Sequence, residues 1–81
     1  MIKSYIVIEI QTDSVGNIAT QTFSFAGQDE IENRNEAESK YHDILHYASK
    51  SNVYYHSCVM LTGKGEFIKE ECYEHKNKDI S

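Results

Sequence analysis

The sequence predicts an α+β fold in which a four-stranded, mainly antiparallel sheet carries one helix on one face, in the order ββαββ. Apolar residues recur with a period of two near the start of the chain, with a period of 3.6 over residues 34–50, and with a period of two again afterwards. Turn segments that contain glycine separate the strand-like runs. The 81 residues suffice for one small domain, residues 1–81, with a modest core.

The first two strands are predicted at residues 2–12 and 18–26. Even positions of the first carry Ile2, Ile6, Ile8 and Ile10. This alternation of β-branched residues is typical of a strand, and we expect its isoleucine face to lie under the helix. The segment DSVGN, residues 13–17, supplies turn residues. The second strand has Ala19, Phe23 and Phe25 on one face and hydroxyl residues on the other.

A helix is predicted from about Arg34 to Lys50, after a loop with the sequence GQDEIEN. Asn33 is the expected N-cap residue, and Glu36 follows three positions later, as in a capping box. The apolar positions that form one stripe at helical spacing are Ala37, Tyr41, Ile44, Leu45 and Ala48. This stripe is expected to cover one face of the sheet.

The last two strands, residues 53–62 and 66–75, form a predicted hairpin. The segment TGKG suits a short turn with Gly65 in the left-handed region. The register of the last strand stays open, since Phe67 alternates with Tyr73 and Ile68 with Cys72. The turn length places Cys58 opposite Glu70 or Glu71, so a disulfide between the two cysteines is not expected.

The strand VYYHSCVM, residues 53–60, has no polar face. With the isoleucine face under the helix, the other face carries Tyr5, Val7 and one side of this strand. An uncovered apolar patch of this kind is typical of association. We therefore expect a homodimer whose contact involves the helix-free sheet face, with edge-to-edge extension of the sheet as the alternative geometry.

Histidine and cysteine supply the candidate chemistry. His42 and His46 are four apart on the helix and are able to share a metal ion, but HDILH lacks the glutamate of a zinc-protease helix. We interpret them as partly exposed side chains beside the core. A reactive pair of His56 and Cys58 would need an electropositive, open environment, so a packed Cys58 is favoured. No metal or cofactor is expected.

The charge of −5 argues against direct nucleic-acid binding, which requires clustered lysine and arginine. The carboxylates cluster at residues 29–38 and 70–74. This indicates either a solvated face or a surface for a basic protein partner. The start, MIKSYIVIEIQT, is too short and too charged for a membrane span and lacks the features of a signal peptide. A cytoplasmic location without membrane contact is expected.

The segments NRNEAESKYHDIL and IKEECYEH, with the opening YIVIEIQT, resemble a group of short proteins from gut anaerobic bacteria and their mobile elements. The resemblance covers nearly the whole chain. The group has no settled activity, so the resemblance implies no catalytic residues. Its implication is contextual: small acidic proteins on mobile elements often inhibit or sequester components of host defence.

These observations favour a small non-enzymatic binding protein, with inhibition of a host defence protein as the specific hypothesis. Glu36, Glu38 and the DEIE segment would present negative charge to a basic groove. The candidate contact residues are Tyr5, Val7, Tyr54, His56, Glu36 and Glu38. One alternative is a sponge that holds a nucleotide signal at a dimer interface. Another is a small enzyme that uses His56.

Overall fold

A computed structural model of the chain describes residues 2–75. The elements are β1 (Tyr5–Thr12), β2 (Ile18–Phe25), α1 (Glu30–Ala48), β3 (Tyr55–Thr62) and β4 (Phe67–Glu74). The four strands form one sheet in the order β2-β1-β3-β4, and every neighbouring pair is antiparallel. The predicted ββαββ order and the α+β fold are therefore confirmed. Within residues 2–75, no helix combines the length and apolarity that a bilayer crossing requires.

The helix begins earlier than the sequence pattern indicated, because Asp29 is its N-cap residue. The Asp29 carboxylate accepts hydrogen bonds from the backbone N–H groups of Ile31 at 2.9 Å and Glu32 at 3.4 Å. These bonds satisfy two of the donors that the first turn of a helix leaves unpaired. The predictions of an Asn33 cap and of a loop through residue 33 were wrong.

Asn33 is instead a buried helical residue that ties α1 to two other segments. Its side-chain oxygen accepts a hydrogen bond from the backbone N–H of Gly27 at 2.7 Å. Its amide nitrogen donates to the carbonyl oxygens of Lys3 and Gly27, each at 3.1 Å. Asp29 and Asn33 are both good capping residues, and these contacts give Asn33 a different role.

The helix covers the odd-numbered face of β1, so the prediction that it covers the isoleucine face was wrong. Tyr5 and Val7 are buried beneath α1 at 5% and 0% exposure. The strand register explains this choice, since Val7 lies between Phe23 of β2 and Met60 of β3. Apolar side chains from three strands therefore form one continuous surface on the odd face. On the isoleucine face, β2 contributes hydroxyl side chains instead.

The apolar stripe of α1 packs as predicted. The buried apolar residues of the core are Tyr5, Val7, Ala37, Tyr41, Ile44, Leu45, Ala48, Cys58 and Met60. All five predicted stripe residues of α1 are among them. Burial of such side chains is the main favourable term in a domain of this size.

The β3–β4 hairpin closes as predicted, with Gly65 at a φ of +91° in the left-handed region. An irregularity in pairing between Met60 and Leu61 shifts the register of β4. Because of this bulge, Phe67 faces away from α1 while Tyr73 faces towards it. Neither of the two alternations that the sequence offered therefore holds along the whole strand.

Cys58 pairs with Glu71, as predicted, and Cys72 pairs with Ser57. Cys58 is buried beneath α1, whereas Cys72 is exposed on the opposite face of the sheet. Both thiols are free.

Candidate functional site

A chain of three polar side chains lies beneath the C-terminal end of α1. Nε2 of His56 lies 2.6 Å from Oε2 of Glu9, and Nδ1 of His56 lies 2.8 Å from Oγ of Ser51. His56 is fully buried, and Glu9 is 9% exposed. An ionised carboxylate only accepts hydrogen bonds, so Nε2 of His56 is the donor to Glu9. Buried polar groups of this kind are stable only when each has a partner.

The strand period and the end of the helix bring these residues together. Glu9 follows Tyr5 and Val7 on the helix-facing side of β1, and His56 is on the same side of β3. Ser51 lies in the connection after α1, where its hydroxyl is 3.3 Å from the carbonyl oxygen of Ala48. Forty-seven positions separate Glu9 from His56 in the chain, so no local pattern connects them.

The same oxygen of Glu9 also accepts a hydrogen bond from Nε2 of Gln11, at 3.2 Å. The ring of Tyr47 packs edge-on against the His56 ring, with centroids 5.7 Å apart. Within residues 2–75, every buried side-chain nitrogen and oxygen has a hydrogen-bond partner. The polar chain is therefore a closed network.

The combination of serine, histidine and a carboxylate resembles the residue set of a hydrolase triad, but the geometry does not favour that chemistry. A triad serine bonds to the Nε2 atom of its histidine, whereas Ser51 lies at Nδ1. Ser51 also follows the C-terminus of α1, where the negative end of the helix dipole opposes a developing oxyanion. The arrangement instead connects the end of the helix to the start of β3.

Cys58 lies beside this network, and its thiol is a poor nucleophile. The thiol is 0% exposed, and Cys58 is the register partner of Glu9 on β1. Burial, followed by the charge of Glu9, raises the pKa of Cys58 to about 12. The thiolate is the nucleophilic form of cysteine, so Cys58 has almost none of its reactive form near neutral pH. The packing role that the sequence indicated for Cys58 agrees with this environment.

Three of the six predicted contact residues, Tyr5, Val7 and His56, lie beneath α1 and not on the helix-free face. The prediction that placed Tyr5 and Val7 on that face was wrong, because the register of β1 turns their side chains towards the helix. Tyr54 precedes β3 and is half-buried, with its ring packed edge-on against Tyr55 at 4.6 Å.

The other two predicted contact residues lie on α1 in different environments. Glu36 is exposed, whereas Glu38 is half-buried and accepts a hydrogen bond from Nζ of Lys69 at 2.5 Å. The same ammonium group lies 4.8 Å from the centroid of the Tyr41 ring. Lys69 therefore neutralises Glu38 and leaves Glu36 as the more available carboxylate.

Exposed carboxylates form two groups. The exposed acidic residues at the start of α1 are Asp29, Glu30, Glu32 and Glu36, and those on β4 are Glu70, Glu71 and Glu74. Ile31 lies between Glu30 and Glu32 with 71% of its surface exposed. Burial, followed by the charge of Glu71, raises the pKa of Tyr41 to about 12, in keeping with a negative potential beside β4.

The two helix histidines, His42 and His46, are both exposed. Nε2 of His42 lies 3.7 Å from Oε1 of Glu38. The part of the chain that the structure describes contains no group of three or more histidine, cysteine, aspartate or glutamate side chains that is able to hold a metal ion. Structural zinc sites usually have four protein ligands, and this pair supplies two.

The sheet surface opposite α1, here called the helix-free face, carries the isoleucine side chains of β1 that were predicted to lie under the helix. Its half-buried centre consists of Ile6, Ile8, Ile10, Val59 and Leu61. The alternation in the sequence contains the isoleucine part of this set. The alternation does not indicate which of the two faces packs against the helix.

The chain matches no protein-family model, no curated protein and no solved structure. A function for the chain is therefore proposed from the contacts, burial and charges of residues 2–75.

Proposed function

We propose that this protein is a non-catalytic binding protein that uses an acidic surface to engage a basic surface of another protein. The observation that carries the proposal is that the candidate catalytic side chains are buried, whereas carboxylates are exposed at the surface. His56 and Cys58, the candidate catalytic residues of the sequence, are both 0% exposed. The exposed surface is instead rich in carboxylates, in keeping with the net charge of −5.

The first turns of α1 are the favoured contact region. Glu30, Glu32 and Glu36 are exposed there, and Arg34 is the basic residue within the same turns. Ile31 supplies an exposed apolar side chain among these charges. An apolar anchor surrounded by charge is typical of protein contacts, because the charges speed encounter while the anchor contributes affinity.

Inhibition of a host defence protein is the role we propose within this class. The support is contextual, since the chain resembles small proteins of mobile elements and its surface is acidic. A negatively charged protein of this size is suited to covering a basic groove that would otherwise hold a nucleic acid.

A sponge for a nucleotide signal receives less support. A cleft of about 350 Å³ opens where the β1–β2 turn meets residues 52–54 and His75, and no lysine or arginine of residues 2–75 lines it. Asp13 also lines the cleft, and hydrogen bonds from the backbone and side chain of Asn17 lower the pKa of this carboxyl. An ionised carboxylate in a cleft that no lysine or arginine of the described residues lines disfavours a phosphate ligand.

Affinity capture from a host lysate, followed by titration calorimetry with the purified partner, tests the proposal. The variant Glu32→Gln/Glu36→Gln removes two charges from α1, and the control Glu70→Gln/Glu71→Gln removes two from β4. We expect the first variant to bind the partner more weakly than the control does. We also expect wild-type binding to weaken as salt rises, because exposed charges are screened.

Three results would overturn the proposal. One is a captured partner whose affinity is unaffected by both the charge variants and salt. Another is a stoichiometric nucleotide released when the purified protein is denatured. The third is turnover of a substrate by the wild type that a folded His56→Ala variant lacks.

A further inference from the structure

The helix-free face is apolar at its centre and mostly polar at both borders. Its centre, from β1 and β3, is only half-buried, because α1 packs on the opposite side of the sheet. The border on β2 carries the hydroxyl residues Thr20, Thr22 and Ser24, with the exposed Ile18 at the start of the strand. The border on β4 carries Glu70, Cys72 and Glu74, with Phe67 beyond the bulge. The two borders therefore differ in chemistry.

We propose that this face packs against the same face of a second copy, with the two-fold axis parallel to the strands. Four strands spaced by about 4.8 Å and rising by about 3.4 Å per residue give each face an area of about 500 Å². Two copies would therefore bury on the order of 1,000 Å², the lower limit for a specific interface. The apolar centre supplies the favourable part of that contact.

The direction of the axis follows from the charges. A two-fold axis that lies between the sheets and runs perpendicular to the strands would place β4 over β4 of the second copy. Glu70 and Glu74 of both chains would then lie along one border of the dimer. An axis parallel to the strands places β4 over β2 of the second copy, and β1 over β3. The carboxylates then lie on opposite sides of the dimer, so like charges are kept apart.

The sheet register identifies which residues meet in this arrangement. Thr22, Ile8, Val59 and Glu70 form one row across the four strands. Ile8 would therefore meet Val59 of the second copy, and Glu70 would meet the hydroxyl of Thr22. In the next row, Cys72 would meet Thr20 of the second copy. In the row of Ile8 an apolar residue thus faces an apolar residue and an acceptor faces a donor, whereas in the next row Ile10 would meet Ser57 of the second copy.

Edge-to-edge pairing is the competing geometry, and the two sheet edges differ in their suitability for it. The β4 edge carries three glutamates and a bulge, features that discourage pairing with another strand. The β2 edge has no charged residue. Pairing of two β2 strands is therefore the arrangement that an experiment must separate from the face-to-face dimer.

Sedimentation equilibrium of the full chain up to about 100 μM measures self-association. We expect a mass of twice 9.3 kDa for the wild type. Ile8→Asp should weaken the dimer by on the order of 100-fold, because each copy places a carboxylate in the apolar centre. The control Gln21→Asp, on the helix side of β2, should leave it unchanged. Circular dichroism establishes that both variants are folded.

A monomeric wild type at every concentration would overturn the inference, as would a dimer weakened by Gln21→Asp and not by Ile8→Asp. The inference does not depend on the proposed basic partner. A monomer would leave that proposal intact, and a failed capture experiment would leave this one intact.

Chemical cross-linking of surface thiols tests the axis without disturbing the apolar centre. Packed sheets lie about 10 Å apart, within reach of a short bismaleimide. We expect Thr20→Cys to cross-link to the native Cys72 of the second copy, and Thr20→Cys/Cys72→Ser to give no cross-linked dimer. A wild-type cross-link between two Cys72 thiols would instead indicate the perpendicular axis. A cross-link that persists in the double variant would indicate paired β2 strands. Either result overturns the proposed arrangement.

Discussion

Replacing His56 by leucine would leave Glu9 buried without its main partner. The change removes the 2.6 Å contact to Glu9 and the 2.8 Å contact to Ser51, while leucine fills most of the space of the ring. Removal of the partner of a buried carboxylate costs about 3–5 kcal/mol, because the carboxylate is left without compensation. Glu9 is 9% exposed and keeps its hydrogen bond from Gln11 at 3.2 Å, so we expect the lower end, about 3 kcal/mol.

A double-mutant cycle separates this effect from loss of packing. Glu9→Met should cost about 1–3 kcal/mol, because it leaves a buried ring nitrogen without an acceptor. The double variant Glu9→Met/His56→Leu should be at least about 2 kcal/mol more stable than the sum of the single losses, since an apolar pair often replaces a buried polar pair without net cost. Ser51 keeps its bond to the carbonyl oxygen of Ala48 in every variant.

Urea unfolding followed by far-UV circular dichroism at constant neutral pH measures these free energies. With a slope of about 1 kcal/mol per molar urea, His56→Leu should lower the midpoint by about 3 M. A loss below about 1 kcal/mol, or a double variant whose loss equals the sum of the single losses, would refute the reasoning. Either outcome would mean that Glu9 is solvated as in water and that the network is not closed.

Three further predictions concern other sites. The raised pKa of Cys58 contributes to the free energy of unfolding, fully below about pH 9 and progressively less towards about pH 12. The contribution falls by up to about 1.4 kcal/mol per pH unit. Urea unfolding at several pH values should show that Cys58→Ala lacks this fall. Asn33→Ala leaves a backbone N–H unpaired and should cost about 2–4 kcal/mol in thermal unfolding, with the exposed Asn35→Ala as control. His42→Ala/His46→Ala should preserve the fold and the metal content of purified protein, and loss of stoichiometric zinc in that variant would contradict it.

The features that sequence reasoning located correctly depend on neighbouring residues in the chain. The helical stripe that includes Ala37, Tyr41 and Leu45 has a period that only a helix matches, and all three side chains are buried. Gly65 supplies a left-handed turn position that other residues rarely adopt. Both signals are complete within a few residues, so no tertiary contact was needed to interpret them.

The errors arose where two local interpretations were equally sound. Asp29 and Asn33 are both capping residues, and distant contacts of Asn33 with the backbone near β1 select Asp29 as the cap. The alternation of β1 likewise has two apolar faces, one with Val7 and one with Ile8. A strand pattern indicates which side chains share a face of the sheet, but it does not indicate which face packs against the helix.

The sequence by itself determined the number, order and type of the elements, the apolar stripe of α1 and the acidic surface, because these depend on local periodicity and composition. The tertiary structure decided which face of β1 is covered, since Val7 gains Phe23 and Met60 as neighbours only when the strands pair. It also decided the roles of Glu9 and His56, which form a buried pair across two strands. Register and burial are properties of contacts between distant segments, so they exist only once the sheet has formed.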